Sequence, residues 1–327
     1  MSNKIIRVEG LKKYFPVEES LISSLFSKNR RFVHAVDGIT FSINEGETFG
    51  LVGETGSGKT TTGRLILRSI EPTSGKIYFR DKNILELNKK ELHLLRKEMQ
   101  IIFQDPYASL NPRMRVVDII GEPLEVFNLA KGPEKREMVM KLLKSVGLGS
   151  EDYLDRYPHE FSGGQRQRIG VARALAVNPK FIVADEPVSA LDMSVRSEIL
   201  NLMMDLKKDL GLTYLFIAHD LSVVKYISDR VGVMYLGKLM EEANCEDLFQ
   251  NPLHPYTKAL LGAIPVPDPL YKREKIKIIG EMPSPIEPPI GCRFHTRCPF
   301  NKEICEKNEP QFMDIGDGHF ISCHLYN

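Results

Sequence analysis

Short apolar runs with no polar alternation recur along the chain, and each ends at a glycine or a polar residue. Thr48-Phe49-Gly50-Leu51-Val52 leads into Gly53, Ile101-Ile102-Phe103 into Gln104, Phe181-Ile182-Val183-Ala184 into Asp185, and Tyr214-Leu215-Phe216-Ile217-Ala218 into His219. Runs of this kind, separated by helical periodicity, predict strands buried on both faces, hence a parallel α/β sheet. Ligands of such sheets bind outside the carboxyl ends of the strands, so four polar or glycine positions fall on one edge.

The earlier runs, residues 5–15, 35–43 and 76–79, alternate more and are broken by turn residues, which predicts a small antiparallel subdomain. Residues 20–31 are polar and basic and read as a loop inserted between its strands. From 105 to 160 apolar positions recur at helical spacing, notably in Val116-Val117-Asp118-Ile119-Ile120 and residues 138–146, which predicts a helical insertion. Residues 194–210 form a further amphipathic pattern closed by Gly211. After Asn251 prolines crowd the chain, which predicts an extended connector running into a cysteine-bearing tail.

Composition adds limits. A chain of 327 residues with 42% hydrophobic content buries a sizeable core in one large domain or two modest ones. The expected division is a large domain over 1–250, with its helical insertion at about 105–165, and an extension over 251–327. Lys+Arg 44 against Asp+Glu 43 leaves a net charge of +1, so no global field recruits nucleic acid or an anionic membrane. No apolar run reaches the roughly 20 residues that cross a bilayer, and the first residues lack a signal-peptide core, so a cytoplasmic location is expected.

Gly53-Glu54-Thr55-Gly56-Ser57-Gly58-Lys59-Thr60 has phosphate-loop spacing and stands after a strand and before a helix-compatible run that starts at Thr61. Glycines let backbone N–H groups and a helix N-terminus face an anion. Lys59 would contact the β/γ-phosphates and Thr60 would hold Mg²⁺. Asp185 closes a strand where a carboxylate reaches that metal, and Glu186 beside it can polarise an attacking water. Gln104, as a sensor of metal and water, and His219, as a γ-phosphate contact, share the sheet edge. Ser162-Gly163-Gly164-Gln165 opens a basic helical stretch and offers a second anion-binding helix N-terminus. One chain does not easily aim both at one phosphate, whereas two chains packed head to tail do. Arg166, Arg168 and Arg173 read mostly as a solvated basic face.

These residues resemble, in order, the full set of the ABC-transporter ATPases. The set comprises the Walker A loop, the glutamine loop at Gln104, the signature at Ser162, the Walker B strand with Glu186, the loop ending in Asp192 and the switch histidine His219. The resemblance implies a P-loop α/β fold with a RecA-like parallel core, an antiparallel β subdomain and a helical subdomain. It also implies ATP and Mg²⁺ as cofactors, a nucleotide sandwich dimer completed by Ser162 and Gly164 of the opposite subunit, and an aromatic stacking on adenine. Phe15 fits that register best, with Tyr14 the alternative. Phe161 stands where the family more often has leucine.

A narrower resemblance, to the second of the paired ATPases of dipeptide and oligopeptide importers, rests on two stretches. They are Gln104-Asp105-Pro106-Tyr107-Ala108-Ser109-Leu110-Asn111-Pro112-Arg113 and Asn251-Pro252-Leu253-His254-Pro255-Tyr256-Thr257. It implies attachment to two membrane permeases at the cytoplasmic face, with residues 107–115 as docking surface, a like or identical ATPase partner, and indirectly an extracytoplasmic solute-binding protein. A soluble ABC ATPase of nucleic acid or ribosomes is the other class. Those carry a long coiled-coil insertion or two cassettes, and neither is in this sequence.

Cys292, Cys298, Cys305 and Cys323 crowd the tail while Cys245 stands apart. Four thiolates hold a tetrahedral Zn²⁺ or a cubane iron–sulfur cluster. Gaps longer than C-x₂₋₄-C suit four iron corners better, and the resemblance to peptide importers with this tail implies a [4Fe-4S] cluster as well; zinc and unligated thiols are the alternatives. A redox sensor with ATPase ancestry is a further reading of the same tail.

Overall fold

A computed structural model of the chain describes residues 3–17, 31–264, 276 and 278–326. The residues pack as two compact units, one from Asn44–Thr48 and Glu86–Ala218, the other from Asn3–Ile43, Phe49–Leu85 and the chain from His219 onward. The inserted loop expected at 20–31 lies outside the described residues except for Arg31, as does much of the proline connector.

Strands β1 (Lys4–Pro16), β2 (Phe32–Asn44), β3 (Thr48–Val52), β4 (Ser74–Phe79) and β5 (Lys82–Asn83) come first in the chain. Four of them form the expected small sheet, ordered β2-β1-β4-β5, with Ile6 opposite Phe79 and Val8 opposite Ile77 in an antiparallel ladder. Ile6 and Val8 share one buried face of β1, and Ile5 on the other face is buried as well, so the start of this strand is covered on both sides. β3 belongs elsewhere. All five of its residues are buried, and from Phe49 to Val52 it pairs in parallel with a later strand of the same unit.

The other unit contains β6 (Met99–Ile102), β7 (Phe181–Asp185) and β8 (Thr213–Ile217), parallel throughout, with Met99 opposite Phe181 and Asp185 opposite Ile217. Every residue of β7 and β8 is buried, which is why their sequences lack alternation. Helices Val116–Val126, Gly132–Ser145 and Gly163–Leu175 make the helical insertion and its continuation. The helix expected at 194–210 runs Met193–Leu210, and Gly211 ends it in the left-handed region, its N–H bonded to the Lys207 carbonyl.

The chain then returns to the unit of β1, β4 and β5 with β9 (Arg230–Tyr235) and β10 (Lys238–Asn244), followed by β11 (Met313–Asp314) and β12 (Phe320–Ile321). β9 is the parallel partner of β3, and β10, β12 and β11 extend the sheet in antiparallel fashion. One expectation changes here. The proline-rich region does not begin as an extended connector: Pro255–Gly262 is a helix with Pro255 in its first turn, where a missing N–H costs nothing. The tail contributes buried residues of its own, for Phe294 and Ile321 are buried and Phe294 packs on Tyr235 and Tyr256 at 5.3 Å between ring centroids. No helix among the described residues is long and apolar enough to cross a membrane.

Candidate functional site

Gly53 and Gly58 show why the loop after β3 needs glycine. Both have positive φ, and a Cβ at either would sit 2.1 Å from a backbone oxygen, that of Met234 or of Ala35. The loop they allow is closed by Lys59, buried to 5% exposure, whose ammonium donates to the carbonyls of Gly53 at 2.8 Å and Glu54 at 3.0 Å. Ser57 N–H bonds the Glu54 carbonyl at 3.1 Å. Helix Lys59–Ile66 starts here with Gly58 as its N-cap and no side-chain cap, so its first N–H groups face the loop. That is the geometry of an anion cradle. Thr60 and Thr61 stand in the first turn of this helix, and Thr55 and Gly56 at the loop's crest, Gly56 with positive φ.

In the other unit, β7 delivers Asp185 buried and Glu186 directly after it. Glu186 has φ 47°, a left-handed conformation that an L-residue holds only under constraint. The constraint is visible: its N–H bonds the Ile217 carbonyl at 2.9 Å, and its carbonyl accepts from Ser189 N–H at 3.2 Å and Ser189 Oγ at 3.1 Å. So aimed, the Glu186 carboxylate accepts a 3.0 Å hydrogen bond from Gln104 Nε2. Two residues 82 positions apart, chosen from strand ends, are brought together. His219 follows β8 and precedes helix Leu221–Ile227, capped by Asp220.

Ser162 caps its own helix: its Oγ accepts from Gln165 N–H at 3.3 Å, and Gln165 Oε1 accepts from Ser162 N–H at 3.0 Å. Gly164 has a further duty that sequence spacing did not reveal. A Cβ there would lie 2.3 Å from Val195 Cγ1, so the glycine lets helix Gly163–Leu175 pack on the helix that Asp192 opens. The basic residues of this helix are not a solvated face. Arg166 is buried, bonds the Pro158 carbonyl at 2.6 Å and lies 3.9 Å over the Tyr107 ring. Arg168 bonds the Val146 carbonyl at 2.8 Å and Glu198 at 3.0 Å. Arg173, its pKa lowered by burial, bonds the Ser109 carbonyl at 2.7 Å. Arginine's fixed fork suits such bracing of loop carbonyls.

On β1, Tyr14 and Phe15 point to opposite faces. The Tyr14 hydroxyl is committed to Asp37 Oδ1 at 2.5 Å and its ring packs on His34 at 4.2 Å. Burial works against charge on Asp37, but Tyr14, Lys238 and Arg293 together hold its carboxyl below the usual range. Phe15 is left with Lys13 over its ring at 4.9 Å.

Among the described residues, no group of three His, Cys, Asp or Glu side chains is arranged to hold a metal ion. The four tail thiols nonetheless lie within electrostatic reach of one another. Burial, together with Cys323, Cys305 and Cys298, pushes the Cys292 thiol up to about 12, and burial lifts Cys323 to about 11. Backbone N–H groups two residues on, at Phe294, Phe300 and Leu325, hydrogen-bond the sulfurs of Cys292, Cys298 and Cys323 and oppose that rise. Cys245 is apart, with its thiol pushed up to about 11 by burial.

The Asn251–Thr257 stretch also gains a physical reason. Buried Glu241 accepts from Leu253 N–H at 2.7 Å and His254 N–H at 3.0 Å, and His254 Nδ1 caps the next helix by accepting from Tyr256 N–H at 3.0 Å. Tyr256 then reaches the phosphate loop, its hydroxyl accepting from Glu54 N–H at 3.0 Å. No local signal in the sequence tied these residues to residue 54.

The pattern of the ABC transporter family matches residues 36–189, and that of the oligopeptide/dipeptide transporter C-terminal region matches residues 240–305. The chain is 57% identical over 300 residues to the putative oligopeptide transport ATP-binding protein YkfD of Bacillus subtilis (strain 168), covering 91% of each chain. It is 51% identical over 319 residues to the dipeptide transport ATP-binding protein DppF of Haemophilus influenzae, covering 98% of this chain and 96% of the relative. Among solved structures, the ATP-binding cassette MJ0796, a dimer in a post-hydrolysis state bound to ADP and Pi, matches with TM-score 0.63 at 27% identity, over 73% of this chain and 98% of that one. Fold and phosphate loop thus define an ATPase of the ABC class. Within it, the chain belongs to the ATP-binding subunits of oligopeptide and dipeptide ABC transporters, which are ATPases coupled to transport.

Proposed function

We propose that this chain energises peptide uptake by closing and reopening an ATPase dimer. Its phosphate loop, Gly53 to Thr61, binds the ATP polyphosphate, with Phe15 on the adenine and Thr60, Gln104 and Asp185 around Mg²⁺. Glu186 acts as general base on the attacking water, and His219 contacts the γ-phosphate. The opposite subunit, homologous or identical, supplies Ser162, Gly163, Gly164 and Gln165 to the same nucleotide, with Asp192 at the seam. The observation that carries this reading is the Gln104–Glu186 hydrogen bond, which presents an oriented carboxylate and an amide at adjoining strand ends. In-line attack by water then needs little besides positioning and charge stabilisation.

Closure is passed to two membrane permeases at the cytoplasmic face, fed by an extracytoplasmic solute-binding protein. Tyr107, 63% exposed, lies in the proposed docking segment, and Arg166 and Arg173 brace that segment on the signature helix. The domain division that fits this work is an ATPase over 1–250, with its helical subdomain at 105–165, and an extension over 251–327.

For the extension we favour Cys292, Cys298, Cys305 and Cys323 as ligands of a [4Fe-4S] cluster, with zinc the second choice. What supports this is the chemistry of the donors: four soft sulfurs in one short stretch, three of them with backbone N–H groups two residues on that oppose the rise of their pKa. When bound, the cluster supplies a covalent cross-link for the tail; no redox step is assigned to it. Nucleotide titration of the purified protein tests the core reading: Lys59→Ala is expected to abolish or strongly weaken ATP binding, and equal affinity in wild type and variant would contradict it.

A further inference from the structure

Every polar group of Glu54 is held. Its N–H goes to Tyr256, its carbonyl accepts from Lys59, and its carboxylate meets Arg297, which reaches in from the tail. Arg297 Nη1 lies 3.1 Å from Glu54 Oε1 and 3.0 Å from Oε2, and 3.4 Å from the Tyr235 hydroxyl. The pair is well shielded, with side-chain exposures of 11% for Arg297 and 25% for Glu54. Phe294, three residues earlier, packs edge-on against Tyr235 and fixes the turn that presents the guanidinium.

A carboxylate in this place is a puzzle for a loop that must receive a polyphosphate. Glu54 is the second residue of the cradle, and its charge has the same sign as the ligand's. In a partly shielded setting like charges repel several-fold more strongly than in bulk water. Arg297 removes the conflict, by cancelling the charge and by holding the side chain in a fixed direction.

We propose that Arg297 is a positioning residue for the phosphate loop, which neutralises and anchors Glu54 so that the loop accepts the polyphosphate of ATP. This rests on the reading of residues 53–60 as the nucleotide site. It gives the C-terminal extension a direct part in nucleotide affinity, beyond any role in holding a cluster.

The test is calorimetric titration of the full-length protein with ATP, ADP and adenosine, using wild type, Lys59→Ala, Arg297→Ala, Glu54→Gln and the Arg297→Ala/Glu54→Gln pair. Arg297→Ala is expected to weaken ATP and ADP about tenfold while adenosine is unmoved, and adding Glu54→Gln is expected to restore affinity to within about twofold. Wild-type ATP affinity in Arg297→Ala overturns the proposal. So does a double variant as weak as the single one, since a purely structural loss is not repaired by removing a charge elsewhere. Should Arg297→Ala fail to fold, Arg297→Gln takes its place with the same expectations. Lys59→Ala separates the levels: if it binds ATP like wild type the nucleotide-site reading fails, whereas if it loses ATP and Arg297→Ala does not, the Arg297 proposal alone fails.

Discussion

Gln104 Nε2 donates to Glu186 Oε2 at 3.0 Å, and Glu186 is held for that contact in a left-handed backbone conformation. In the proposed mechanism this carboxylate polarises the attacking water, with the Gln104 amide beside it as the sensor. Glu186→Gln is therefore expected to lower ATP turnover by a factor on the order of 10² or more while ATP still binds. Gln104→Leu, which removes the donor, should lower kcat more than it raises KM. Steady-state phosphate release and nucleotide titration check both, and near-normal turnover in Glu186→Gln would remove that residue from its role.

Gly164 carries two demands, one within the chain and one proposed between chains, and they can be separated. Gly164→Ala puts a methyl against Val195 and is expected to cost about 1–3 kcal/mol of stability. Val195→Ala in the same chain should recover most of that loss in a denaturant titration. If Gly164 also completes the opposite subunit's site, ATP turnover stays low in the refolded double variant; recovery of turnover along with stability would confine Gly164 to packing.

His254 is buried, and burial lowers its pKa to about 4. Protonation is then easier in the unfolded chain, near pH 6.5, than in the folded one. Stability from this group is complete above pH 6.5 and is lost as pH falls toward 4, by up to about 3 kcal/mol. His254→Asn retains an acceptor for the Tyr256 N–H without the titration. Denaturant midpoints between pH 7.5 and 5 are expected to fall more steeply in wild type than in this variant, and parallel curves would show that His254 does not titrate on unfolding.

Protein purified without oxygen is expected to be brown and to hold about four iron and four sulfide per chain. Cys305→Ser should lower both. Stoichiometric zinc without iron contradicts the cluster assignment and favours the tetrahedral alternative.

Much of this was legible in the sequence because buried parallel strands cannot alternate, so β3, β7 and β8 announced themselves and their ends pointed to Gly53, Asp185 and His219. The phosphate loop was legible because its glycines answer a backbone demand, seen at Gly53 and Gly58. Arg166, Arg168 and Arg173 look in sequence mostly like a solvated face, since nothing in a helical period tells an arginine that braces a carbonyl from one in water. Glu54 met Arg297 across 243 positions, and Tyr256 met Glu54 across 202; such pairs leave no local trace. The helix at Pro255–Gly262 hid behind proline content, although proline in a first turn starts helices as readily as it ends them.

ATP-driven peptide uptake by the assembled transporter in proteoliposomes, measured with this chain as wild type and as Glu186→Gln, is the most direct test of the proposed function. Peptide accumulation that requires ATP inside reach of the chain and disappears in the variant is the expected result. Uptake that persists undiminished with Glu186→Gln, or ATP hydrolysis by the complete assembly that never moves a peptide, would contradict it.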